Sequence, residues 1–422
     1  MNTKFTRTAV KLLSLSCLAT CIASPATAAL IGLETAGRYN IFVRDDVKRT
    51  NTSVNGRIAA GNLAEFKSVG IGSALSGGLN IETGGALKID GGSVRGDVIV
   101  GGHADLKNPT LRGKLDVRGN VDHSGGGSFS STVTTDGHFK SSDGATFSGP
   151  VHVGKHLEVS GTLSASSGVN VGGHLKTNTP SISGGLRVNG NVDFTGGGGN
   201  VSGGFTFGGN YSGPSYITRT RLRDTAILPA PSDVDVDFNS LGSQLIADSQ
   251  YIANLTPNGS AIRQFSTLTL TGANQDLNIF SLAATDLTNI SNFVINTPTG
   301  ASVVINISGT SVTLGNFGYS LNGQSLSAAA DKLLFNAYQA NSLTHFSLGG
   351  TLLAPNATVD FNNGTFTGTL IANNLNDGNG SFATAAAFTG NIPIASVNNA
   401  IPEPTVSCLL LAAAALLRRN RV

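Results

Sequence analysis

Tryptophan is absent from the 422 residues, methionine occurs once, and charged side chains make up only 12%, for a formal net charge of +2. Sparse charge of this kind argues against a nucleic-acid partner, because phosphate binding needs a concentrated basic surface. Cysteine is confined to Cys17, Cys21 and Cys408, all near the chain ends. The body between them therefore has no disulfide, no thiol nucleophile and no thiolate metal site. Burial and backbone hydrogen bonds must hold it together, and its length is ample for that. A Gly-x-Ser-x-Gly elbow and a His-Glu-x-x-His helix are also missing. Asp90, Asp97, Asp105, Asp116 and Asp122 fall at different repeat positions, so they do not form the convergent carboxylates of a polysaccharide-cleaving enzyme. A non-catalytic protein without cofactors is the expectation.

Glycine is abundant, at 55 residues, and periodicity turns this away from disorder. Apolar pairs two residues apart begin at Val98, Leu115, Val133, Val151, Val169, Leu186 and Phe205, in steps of 17 to 19 residues. Such pairs place both side chains on one strand face, and the intervening glycines permit corners. Another apolar residue stands four positions earlier, as at Val94, Leu111, Phe129, Phe147, Ile182 and Val201. The pattern predicts a mainly β chain, a parallel β-helix with rungs of about 18 residues. Five residues after each pair begins comes a polar position: His103, Asn120, His138, His156, His174, Asn191 and Asn210. In a solenoid these side chains stack into a ladder. His138, His156 and His174 could offer imidazoles to a metal, but Asn fills the same slot elsewhere and no acidic residue recurs beside them. Stacking is the preferred reading, with imidazoles that resist charging together in mild acid. Gly149 to His156 comes close to a phosphate-binding loop but has His156 where Ser or Thr is needed, within a strand pattern.

From Ser232 to Leu255 the period becomes helical, with Ser232 or Asp233 as cap and Phe238, Leu241, Leu245, Ile252 and Leu255 forming a stripe. One α-helix packed alongside the β-helix follows. Asp233, Asp235 and Asp237 lack an EF-hand's glycine and distal glutamate and suit a helix start better than calcium. Strand signals return from Phe265 to Ile371. Thr267, Thr269 and Thr271 alternate there, as on an exposed ice-binding row or an ordinary half-buried strand.

The chain ends carry targeting signals. Lys4, Arg7 and Lys11 precede an apolar stretch, and Ala26 and Ala28 offer the small residues of a signal-peptidase site, giving a signal peptide at 1–28. At the other end, Pro402-Glu403-Pro404 precedes a twelve-residue uncharged run and then Arg418, Arg419 and Arg421. As a helix the run rises roughly 18 Å, too short for a permanent span of a core about 30 Å thick. This tail resembles the PEP-CTERM sorting signal of Gram-negative bacteria. That resemblance implies an exosortase-type sorting enzyme as partner and a transient inner-membrane anchor at 400–422, followed by release to the cell surface or extracellular matrix.

Two further segments resemble the ends of the bacterial choice-of-anchor A domain. One is Tyr39 to Val43 with Gly56 to Gly61; the other is Gly350 to Ala357 with Gly368 to Ala372. The resemblance implies an N-terminal part at 29–212 containing the glycine-rich repeat, a linker and helix at 213–260, and a C-terminal β part at 261–399. It implies no catalytic residues. The expected function is a structural or adhesive surface protein, with extracellular polysaccharide as an expected partner and glycan or ice binding as the alternative.

Overall fold

The computed structural model describes residues 30–393, apart from 223–225, 227, 316, 346, 384 and 385. Residues 30–392 form one compact unit. The apolar pairs do what their spacing requires. Val98, Leu115, Val133, Val151, Val169, Leu186 and Phe205 lie opposite one another in successive parallel pairings, all buried. A second column runs Ala104, Val121, Phe139, Leu157, Leu175 and Val192. A third includes Val94, Leu111, Phe129, Phe147, Ala165 and Ile182. These three columns point inward to one core, so the fold is mainly β and solenoid-like, with three strand faces.

The chain does not climb this stack in sequence order. Ile41–Val43 pairs on one side with Ile58–Ala60 and on the other with 370–372. The C-terminal strands thus continue the stack beneath the first N-terminal strand. Arg49 seals the junction from inside: it is 1% exposed, donates to the carbonyls of Phe361, Asn376 and Gly380, and lies over the Phe361 and Phe382 rings. The even step is a property of one stretch only. Leu277 faces Ser302 and Val303 faces Leu333, 25 and 30 residues apart, because loops and a 3-10 helix at Leu326–Lys332 lie between. Among the described strands, one pair departs from the parallel rule: Ser260–Gln264 and Thr267–Thr271 form an antiparallel hairpin.

Helix α1 spans Ile31–Ala36 and α2 spans Phe238–Ala253. α2 starts at the first residue of the apolar stripe, later than a cap at Ser232 or Asp233 requires. Its cap is Asp237, whose carboxylate accepts from the N–H groups of Asn239 and Ser240. Residues 228–237 instead run as an extended strap, with the N–H groups of Asp235 and Val236 already given to Glu82. Leu245 and Ile252 pack with Phe42, Leu334, Leu353 and Ile371, which point outward from one strand face. Polar contacts fix the fit. Asn336 accepts from the Ser249 hydroxyl and donates to the Ser249 carbonyl and to Asn306, whose amide donates to the Ile252 carbonyl.

The expected inner-membrane anchor is corrected here: among the described residues no helix is long and apolar enough to cross a membrane. α2 is amphipathic and spent on the strand face beneath it. Ala26, Ala28, Pro402, Glu403, Pro404, Arg418, Arg419 and Arg421 lie outside the described residues.

Candidate functional site

The polar ladder occupies the corner between the strap-covered face and the next one. The N–H of His138 donates to Asn120 Oδ1 at 2.9 Å, that of His174 to His156 Nδ1 at 2.8 Å, that of Asn191 to His174 Nδ1 at 2.8 Å, and that of Asn210 to Asn191 Oδ1 at 2.8 Å. His and Asn are interchangeable in this slot because each presents an acceptor at the same reach. Each such acceptor sits under the residue before the next ladder position, which explains the Gly-His and Gly-Asn dipeptides. A Cβ on Gly173 would stand 2.3 Å from His156 Nδ1, and one on Gly190 2.4 Å from His174 Nδ1. The His156 and His174 rings stack at 4.7 Å and 5°, whereas His138 and His156, with Lys155 in place of the usual glycine, tilt by 49°. Burial, then the neighbouring His174, His138 and Lys155, push the His156 pKa below its ordinary value. An Nδ1 that accepts from backbone is not offered to a metal. Among the described residues no group of three or more His, Cys, Asp or Glu is placed to hold one. His103 stands apart, its Nε2 3.3 Å from Asp122 Oδ2.

The strap is held to the face it covers by buried carboxylates. Glu82, 0% exposed, accepts from the strap at Asp235 and Val236 and from the Tyr39 hydroxyl at 2.7 Å, and Asp116 accepts from Ser232. The three aspartates of the strap are separated in role: Asp233 pairs with Arg118, Asp235 gives its N–H to Glu82, and Asp237 caps α2.

The second face is charged. Its outward row begins Lys48, Glu65, Lys88, Asp105 and continues Asp122, Lys140, Glu158, Lys176, Asp193, each in parallel register with the next. Every member is exposed or half-exposed. Within the row, among the described residues, Lys176 and Glu158 come together, at 3.9 Å.

The third face carries the feature that sequence reasoning missed. Ser53, Gly70, Ser93, Thr110 and Ser128 stand in one outward column, which continues through Thr146, Ser164, Ser181 and Asn200. Below Ser53 it runs on through Ser381 and Thr365, whose hydroxyls are 3.2 Å apart. The column has no charge, and only Gly70 and Asn200 lack a hydroxyl. At about 4.8 Å per strand it extends for about 50 Å. The adjoining corner holds serines whose hydroxyls are aimed down the stack: Ser166 donates to the Ser148 carbonyl at 3.1 Å, Ser183 to that of Ser166 at 3.2 Å, and Ser202 to that of Ser183 at 3.4 Å. A signal was available, since Ser93, Thr110, Ser128, Thr146 and Ser181 each directly precede an inward apolar residue of the repeat. The Thr267, Thr269 and Thr271 row does not make a comparable surface, because Thr269 lies between Ile262 and Val294.

The sequence pattern of the ice-binding-like adhesive domain matches residues 32–148 and again 129–384. This overturns the resemblance to choice-of-anchor A, whose suggestive segments prove to be neighbouring strands of the matched fold. Nor does any match bring in a PEP-CTERM signal or an exosortase partner. Two solved structures are similar at low level. One is an ice-binding protein from an Antarctic bacterium of the Flavobacteriaceae, at 14% identity and TM-score 0.24, covering 85% of this chain and 99% of that one. The other is the tapirin C-terminal domain of Caldicellulosiruptor kristjanssonii, at 11% identity and TM-score 0.22, covering 86% and 96%. Likenesses of that size transfer neither residues nor function. No curated protein matches.

Proposed function

Because this chain belongs to the family of ice-binding-like adhesive domains, we propose that it is a non-catalytic surface adhesin that holds an ordered, uncharged surface, ice first of all, against its hydroxyl column. The observation that carries this reading is the column from Thr365 through Ser128 to Asn200, free of charge and repeated at every strand. A single exposed hydroxyl binds water weakly because it exchanges one water partner for another. A rigid row of them differs: the groups are already ordered, so little side-chain freedom is lost when a periodic ligand engages them together. In this reading residues 98–207 form a parallel β-helix of about 18-residue rungs, and that regular step is what spaces the hydroxyls. α2 and the strap cover one face and brace the rod.

A second reading is supported by Arg95 and Arg112, both exposed at the corner beside Ser93 and Thr110: an acidic polysaccharide could use these cations together with the hydroxyls. Partitioning of the purified protein into slowly grown ice, alongside retention on immobilised neutral and acidic polysaccharides, separates the two. Ice enrichment supports the first; retention on acidic polysaccharide without ice enrichment supports the second. Exclusion from ice and no retention on either matrix rejects both.

A further inference from the structure

We infer that the charged face is a self-complementary surface on which a second copy of this chain docks antiparallel, with a two-fold axis passing by Asp122. The inference follows from the order of signs. A face-to-face pair related by a two-fold axis across the rod brings the outward row of one copy against the same row of the other, reversed. Centred on Asp122, that reversal sets Lys48 opposite Asp193, Glu65 opposite Lys176, Lys88 opposite Glu158 and Asp105 opposite Lys140. These four pairs are of opposite charge, and the one like-charged pair, Asp122 with its copy, lies on the axis. The doubled aspartate, Asp105 followed by Asp122, shifts the phase of the alternation and creates this symmetry; strict alternation over the same positions would set like against like. On the axis the two Asp122 carboxylates meet, each with its own His103 imidazole at 3.3 Å.

The nearest alternatives are repulsive. Parallel copies in register oppose identical charges along the whole row. Sliding one antiparallel copy by one strand in one direction sets like charges opposite throughout, and in the other direction leaves only Asp122 with Lys140 complementary. A slip of two strands, to an axis at Asp105, keeps three complementary pairs (Lys48 with Glu158, Glu65 with Lys140, Lys88 with Asp122) against four about Asp122, so charge order favours the Asp122 register. The neighbouring column does not interfere: Lys67, Asp90 and Lys107 would meet the uncharged Asn178, Ser160 and Ser142. Among the described residues, ion pairs within the chain engage Glu158 with Lys176 and Asp122 with His103, and the exposed side chains of the row can reach across. The contact is narrow and polar, so the dimer should be weak and salt-sensitive. It leaves the hydroxyl column uncovered on both copies, and it stands or falls independently of the ligand proposed for that column.

The test needs no ligand: sedimentation equilibrium of the full-length protein at about 20 to 500 mM salt, with the charge swap Lys88→Glu and Glu158→Lys. A dimer at low salt that dissociates at high salt is expected. Each single substitution should raise the dissociation constant about tenfold or more, since the two-fold axis makes it disrupt two contacts. The double variant should return close to the wild-type value, although the two residues lie four strands apart in one chain. A monomer at every concentration and salt, or a double variant no tighter than either single one, overturns the proposal. Circular dichroism of each variant identifies misfolding, and the reciprocal pair Glu65→Lys with Lys176→Glu supplies the same test if the first does not fold.

Discussion

The backbone N–H of His174 points at Nδ1 of His156, 2.8 Å away, so the folded chain needs that nitrogen unprotonated. Asn191 repeats the relationship on His174. The imidazoles here act as acceptors at a corner, the role Asn120 and Asn191 fill with amide oxygens.

Acid should therefore loosen the fold. The pKa of His156 is lowered by burial and its cationic neighbours, and that of the core residue His123 is lowered by burial. Below the unfolded value of about 6.5 the unfolded chain takes up protons that these folded rings resist, so stability is full above that pH and falls as pH drops. Urea midpoints at pH 7.5 and 5.5 should show the loss. His156→Asn should keep the pH 7.5 midpoint and lose less on acidification; an unchanged difference would refute the acceptor role.

Gly173→Ala should be costly despite a conservative change, by about 2 kcal/mol, because the new methyl meets His156 Nδ1 at 2.3 Å. Chemical denaturation measures this. Lys155→Ala, at the equivalent place one strand earlier, should cost far less.

Asn336→Ala removes a group that bonds Ser249 and Asn306 beneath α2, and each stranded buried partner costs about 1–3 kcal/mol. The midpoint should drop sharply. Asn336→Asp, which keeps an acceptor for Ser249 but cannot donate, should also destabilise; a neutral result for both would mean the helix is held by its apolar stripe alone.

Glu82→Gln should free the strap. The carboxylate takes two strap N–H groups and the Tyr39 hydroxyl, and an amide cannot accept all three at both ends. Limited proteolysis should cut within 228–237 faster than in the wild type, with the strand core intact.

Much of the architecture was legible because buried strands impose a period. Val98 to Phe205 recur at near-constant steps, and stacking of the ladder follows from that alone. The steps of 25 and 30 residues around Val303 were not legible, since loops of variable length leave no period. Residues 232–237 of the strap were read as the helix start because Ser232 and Asp233 are good caps, while the N–H groups that Glu82 takes from residues 235 and 236 are a tertiary effect. The hydroxyl column escaped because Ser and Thr are common in every exposed segment; only the register shows that Ser128 and Thr146 share a face. The tail at 402–421 drew attention to a membrane partner, whereas the matched family rests on residues 32–384.

The central claim is that the hydroxyl column is the ligand face, and ice affinity of Thr146→Lys/Ser164→Lys tests it most directly. Both side chains face outward, so the fold should survive, as circular dichroism can check. Wild-type protein should be enriched in growing ice and inhibit recrystallisation, the double variant should lose both, and a control carrying Lys140→Ala on the charged face should retain them. Equal ice activity in the double variant and the wild type would contradict the account.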